Sequence, residues 1–146
     1  MKKLLLIIFN ILLLTGCKND KFYLEDKYYE NNEIIEATHD QVNKLFDNKE
    51  SFVALVYLPG CSSCVEFREV VDKFRENNNI VFYNVSYMEE RQTKISSVVQ
   101  YAPSAVIVQD GEIIAYLDTT KDEHIPYYET KEGLTSWLEQ YIYLQK

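Results

Sequence analysis

The stretch Ser51–Leu58 is an almost unbroken apolar run, and it stops at Pro59-Gly60 directly before Cys61-Ser62-Ser63-Cys64. Such a run fits a strand buried on both faces, which sits inside a sheet and needs a layer on either side of it. Ser62 to Asn77 then carries Val65, Val70, Val71 and Phe74 on a helical stripe. A buried strand that runs straight into a helix, with two thiols at the join, restricts the chain to a layered α/β architecture.

The rest of the chain supplies the layers. Ile34 to Ala37 reads as a short strand. Thr38 and Gln41 form a capping box ahead of Val42, Leu45 and Phe46 at helical spacing. Ile80 to Val85 reads as a strand and Glu89 to Gln100 as a helix. Ala105 to Val108 and Glu112 to Leu117 flank Asp110-Gly111, a strong hairpin signal. Leu134, Trp137, Leu138, Tyr141 and Ile142 mark an amphipathic closing helix. The order β-α-β-α-β-α-β-β-α predicts a mixed central sheet of about four or five strands with helices on both faces. The polar connection Thr119 to Thr130 between hairpin and closing helix reads as a solvated or a recognition loop.

The N-terminus carries a different message. Met1-Lys2-Lys3 precedes eleven residues, Leu4 to Leu14, that are apolar except for Asn10. A bilayer span takes about 20 residues, so this stretch fits a signal peptide instead. Leu14-Thr15-Gly16-Cys17 resembles a bacterial lipobox. The resemblance implies that residues 1–16 are removed and that the sulfur of Cys17 carries a diacylglyceryl group. An ordinary secretory signal or an N-terminal anchor, with Cys17 a free thiol, is the alternative. Residues 17–33 then read as the lipidated cysteine and a flexible tether, with a reach of about 20 Å, and 34–146 as the domain. Cleavage also removes Lys2 and Lys3, so the formal charge of −8 becomes −10. So acidic a chain argues against nucleic acid and against a polybasic membrane patch, and leaves the two acyl chains as the membrane contact. The twelve tyrosines carry no functional reading in the sequence.

Cys61 and Cys64 are therefore separate from Cys17. Thiol–disulfide exchange requires an exposed thiolate that attacks a sulfur. Cys61 falls where the helix begins, so free backbone N–H groups and the positive dipole end favour its negative form. Cys64 lies one turn further, on the same side. This predicts Cys61 as attacking nucleophile and Cys64 as resolving thiol. An inert Cys61–Cys64 disulfide is one alternative, although so small a loop contributes little by chain entropy. A metal site is another, but it needs more ligands. His39 and His124 are isolated in polar stretches and read as surface residues. No metal and no cofactor are expected.

The element order, the Cys61-Ser62-Ser63-Cys64 motif at a strand-to-helix join, and Tyr101-Ala102-Pro103-Ser104 some forty residues later together resemble the thioredoxin superfamily. The resemblance covers about residue 33 to the C-terminus. It implies a thioredoxin fold, a redox-active Cys61–Cys64 disulfide, a cis Pro103 beside the pair, and Ala102 presenting its backbone to a substrate strand. The chain departs from thioredoxin in places. Ser62-Ser63 stands for the usual Gly-Pro, Leu55 for a buried aspartate, and Tyr57 for the usual tryptophan. Glu66 is near the pair and reads as a solvated helix residue or a partial substitute for the missing acid.

These readings lead to a monomeric, lipid-anchored thiol–disulfide oxidoreductase on the extracytoplasmic face of a bacterial membrane, of Gram-positive type, acting on protein thiol and disulfide clients. The competing readings are an accessory thioredoxin-like protein for bacteriocin export and disulfide formation, which the "PGCSSC" segment loosely resembles, and a redox-inactive surface binding module.

Overall fold

The computed structural model describes residues 20–145. The signal-peptide reading and Cys17 lie outside the described residues. Strand β1 (Ile34–Ala37) leads into helix α1 (His39–Asp47), β2 (Phe52–Tyr57) into α2 (Ser62–Arg75), and β3 (Phe82–Ser86) into a single turn, α3 (Tyr87–Glu90). The hairpin β4 (Ser104–Gln109) and β5 (Glu112–Tyr116) follows, then the short α4 (Ile125–Glu129) and α5 (Lys131–Leu138).

The five strands form one mixed sheet in the order β1-β3-β2-β4-β5. β1 and β2 pair in parallel with β3, while β4 runs antiparallel to both β2 and β5. β2 is central, and Phe52 to Val56 are all buried, as the apolar run requires. Aromatic contacts show a helix on each face. Phe74 of α2 packs edge-on against Phe82 of β3, with ring centres 5.9 Å apart. Tyr83 points to the opposite face, since successive strand side chains alternate. There it meets Phe52, which in turn meets Phe46 of α1 at 5.3 Å. On the α2 face, α2, α4 and α5 pack together.

Local signals fold as their chemistry dictates. The Thr38–Gln41 capping box forms, with both reciprocal hydrogen bonds. Asp110 and Gly111 take φ of 51° and 77°, the pair of positive values that a two-residue hairpin turn needs.

Three expectations change. The helix read over Glu89–Gln100 is only α3 followed by a 3-10 turn at Lys94–Ser97. Thr93, Ser96 and Ser97 each donate a hydroxyl to a carbonyl three residues back, competing with α-helical pairing. The closing helix ends at Leu138 rather than continuing to Ile142. Ile142 instead forms a parallel bridge with Phe22.

That bridge reveals the third correction. From Phe22 onward the segment read as a flexible tether is part of the domain. The Phe22 N–H donates to Tyr141 and its carbonyl accepts from Tyr143, both at 3.0 Å. Leu24 and Tyr28 are 1% and 2% exposed. Burying one such leucine gains about 1.5–3 kcal/mol, against about 1–2 kcal/mol to order a residue's backbone, so these anchors offset the ordering of their neighbours. Tyrosines do much of this fastening. Tyr23 stacks on Tyr143 at 4.3 Å, and Tyr29 donates to the Tyr143 carbonyl at 2.6 Å. Lys27 and the Tyr28 hydroxyl both donate to Glu50, each at 2.5 Å.

Candidate active site

β2 ends at Tyr57, at the C-terminal end of the central strand, and the turn Leu58-Pro59-Gly60 redirects the chain into α2. Gly60 has φ of 79° with open space around it, so the turn needs backbone freedom rather than a small side chain. Cys61 is the N-cap of α2, and its sulfur accepts the Cys64 N–H at 3.1 Å. The Ser63 hydroxyl lies 3.2 Å from the same sulfur. Cys61 and Cys64 are joined in a disulfide with Cα atoms 5.2 Å apart. Cys61 is half-buried and Cys64 buried, 8% exposed. An accessible sulfur therefore lies ahead of a sheltered one.

Register brings Pro103 to this place. Val56 of β2 pairs with Ser104 of β4, so the residue before Ser104 stands at the strand end from which Cys61 departs. The Ala102–Pro103 bond is cis. Pro103 is buried and, with Cys61 and Cys64, lines a groove of about 370 Å³. Ala102 is half-buried and is not part of that lining.

Sequence reasoning missed the polar wall of this groove. Leu55 stands in register with Asn84 of β3, and Asn84 with Glu36 of β1, so the three share one sheet face. Asn84 is 5% exposed and donates to Glu36 at 2.7 Å. The Tyr57 hydroxyl donates to the other Glu36 oxygen at 3.3 Å, and burial followed by that carboxylate raises the Tyr57 pKa. An acid thus enters the groove from two strands away, which no local motif announces.

The Thr119–Thr130 connection also reaches the site. Tyr128 of α4 packs edge-on against Phe67 of α2 at 4.9 Å and donates its hydroxyl to the Pro103 carbonyl at 3.2 Å. Burial pushes the Tyr128 pKa up. This side holds a second groove, also of about 370 Å³, which shares Phe67 and Pro103 with the first. Glu66 lines the second groove, not the first.

The histidines have structural partners. His39 Nδ1 lies 2.6 Å from Glu89, whose pKa is lowered by the His39 backbone N–H and ring. His124 Nδ1 accepts the Asp118 N–H at 2.9 Å. Among the described residues no group of three or more His, Cys, Asp or Glu is arranged to hold a metal ion. No described helix is long and apolar enough to cross a membrane.

No protein-family model matches the sequence, and no curated protein matches it. Solved structures do. A single-residue mutant of thioredoxin from Halobacterium salinarum aligns over 90% of this chain and 99% of its own, with 17% identity and a TM-score of 0.53. Malassezia sympodialis thioredoxin aligns over 75% and 90%, with 17% identity and a TM-score of 0.56. The J-Trx1 fragment of ERdj5 aligns over 76% of this chain, with 21% identity and a TM-score of 0.55, and this chain spans 52% of that fragment. The chain has a thioredoxin fold. Within that fold, two cysteines at disulfide distance on the first turn of a helix support a thiol–disulfide redox role.

Proposed function

We propose that the protein is a thiol–disulfide oxidoreductase, tethered outside the cytoplasm by a lipid on Cys17, that acts on protein clients through Cys61 and Cys64. The observation that carries the reading is the Cys61–Cys64 disulfide at the start of α2, opening on a groove walled by Pro103. The helix N-terminus and the Cys64 N–H favour negative charge on Cys61.

In the reducing direction, the Cys61 thiolate attacks one sulfur of a client disulfide. A mixed disulfide forms and one client thiolate leaves. Cys64 then gives its proton to solvent, and its thiolate attacks the Cys61 sulfur. The Cys61–Cys64 disulfide forms, the bond between Cys61 and client breaks, and the second client thiolate leaves and is protonated. Two electrons pass from protein to client, and the reverse sequence oxidises a client dithiol. Pro103 borders the path of the client backbone, and the resemblance to the thioredoxin superfamily implies that the Ala102 backbone before it is presented to the client strand. The lipid anchor rests on Leu14-Thr15-Gly16-Cys17, and the packed segment from Phe22 onward leaves the tether only a few residues long.

A Cys64→Ser variant expressed in the native host tests the activity. It retains the attacking thiol and lacks the resolving one, so clients accumulate as mixed disulfides on Cys61, visible as reductant-sensitive bands. A redox-inactive binding module gives none. Identification of the trapped clients separates a general oxidoreductase from a bacteriocin-export accessory protein. Intact mass of the membrane-extracted protein tests the anchor, because an unmodified Cys17 or another N-terminus sinks it.

A further inference from the structure

The second groove lies between α2 and the Thr119–Thr130 segment that the redox chemistry leaves unused. Its apolar surface comes from Phe67 and Val70 of α2 and from Ile125 and Tyr128 of α4. Ile125 is 44% exposed, large for an isoleucine beside a half-buried tyrosine, and leaves apolar surface open to a partner. Two carboxylates line the same groove, Glu66 from α2 and Glu129 from α4. Both are exposed, and neither has a cationic partner among the described residues. The first groove differs, since Arg68 lines it beside Glu36 and Glu69. Ser63 connects the second groove to the reacting sulfur, being 3.2 Å from Cys61 and part of the groove wall.

We propose that this groove is a client-docking subsite that selects cysteine-containing segments bearing a lysine or arginine next to an apolar residue. Resting on the oxidoreductase reading, the proposal names the client class for the same site. The client cysteine reaches Cys61 while its apolar neighbour covers Ile125 and Tyr128. The cationic neighbour then meets Glu66 and Glu129, which have no cationic partner among the described residues to displace. Because these carboxylates are exposed, their effect is discrimination between clients and dependence on salt more than tight binding.

The test uses the full chain in detergent, reduced, with short peptides whose single cysteine is capped as a mixed disulfide with 2-mercaptoethanol. Peptides carry Lys or Glu beside the cysteine and are otherwise identical. Rates are normalised to the same protein's rate with hydroxyethyl disulfide. At low ionic strength the lysine peptide reacts roughly three- to tenfold faster than the glutamate peptide. A Glu66→Gln/Glu129→Gln variant, or salt of about 0.5 M, brings the ratio within about twofold. A Glu112→Gln/Glu139→Gln variant, with the same charge change elsewhere, keeps most of the preference. A ratio near one in the unsubstituted chain overturns the proposal, as does an equal loss in the Glu112/Glu139 variant, which assigns the effect to net charge. Failure to reduce hydroxyethyl disulfide overturns the oxidoreductase reading instead. Docking is then read directly from equilibrium binding of Cys→Ser peptides, where the lysine form must bind tighter and lose that advantage in the Glu66/Glu129 variant.

Discussion

Replacing Glu90 with methionine should stabilise the fold at neutral pH, and the gain should shrink as the pH falls. Glu90 ends α3, is fully buried at 0% exposure, and neither carboxyl oxygen has a hydrogen-bond partner among the described residues. Burial pushes its pKa above the ordinary 4.5, opposed only in part by the neighbouring Arg91. A carboxyl with a raised folded pKa binds its proton more tightly in the fold than in the unfolded chain. It therefore supports the fold at low pH, and that support is lost as pH rises from 4.5 through the folded value. A buried polar group left unsatisfied costs about 1–3 kcal/mol, so Glu90→Met should gain that much at about pH 8, or roughly 4 °C in Tm per kcal/mol. Glu90→Gln retains a buried amide and should gain less, but it removes the titration. Urea unfolding followed by Trp137 fluorescence, with the disulfide oxidised throughout, measures each variant against the parent at about pH 4 and pH 8, so that other titrating groups cancel. A loss of stability at pH 8, or a difference that is the same at both pH values, refutes the reasoning.

Glu50 should behave oppositely. Burial alone would raise its pKa, but hydrogen bonds from Lys27 and Tyr28 hold it below the ordinary value. Its contribution is thus present above the unfolded carboxylate range and lost as pH falls through the lower folded value. Glu50→Gln should cost about 1 kcal/mol and speed amide exchange at Val81, whose N–H donates to Tyr28; unchanged exchange there contradicts the fastening role. The two positive-φ glycines should differ in cost. A Cβ at Gly111 would meet the Phe46 carbonyl oxygen at 2.8 Å, whereas one at Gly60 meets nothing within 4 Å. Gly60→Ala should cost about 1 kcal/mol from backbone conformation alone, and Gly111→Ala clearly more, as denaturant melts of the two variants will show.

Much of the architecture was legible in the sequence because its signals are local. A buried strand must be apolar along its length, as Phe52 to Val56 is. Asp110-Gly111 marks a hairpin because few other residues accept its backbone angles, and Thr38 and Gln41 cap a helix through bonds spanning three residues. The cysteine pair was legible for the same reason, lying at a strand-to-helix boundary, whereas the cis Pro103 beside it was implied by the resemblance to the thioredoxin superfamily. Tertiary structure decided what depends on neighbours far apart in the chain. Phe22, Leu24 and Tyr28 follow no helical or strand period, so their packing on Ile142 and Glu50 left no mark in the local pattern. Glu36 enters the groove only through strand register with Asn84. Tyr128 and Glu129 line the second groove only because α4 folds back over α2. Periodicity reports which face of an element is apolar, but the partner that covers that face, and the polar groups that meet at its edge, are set by contacts between elements.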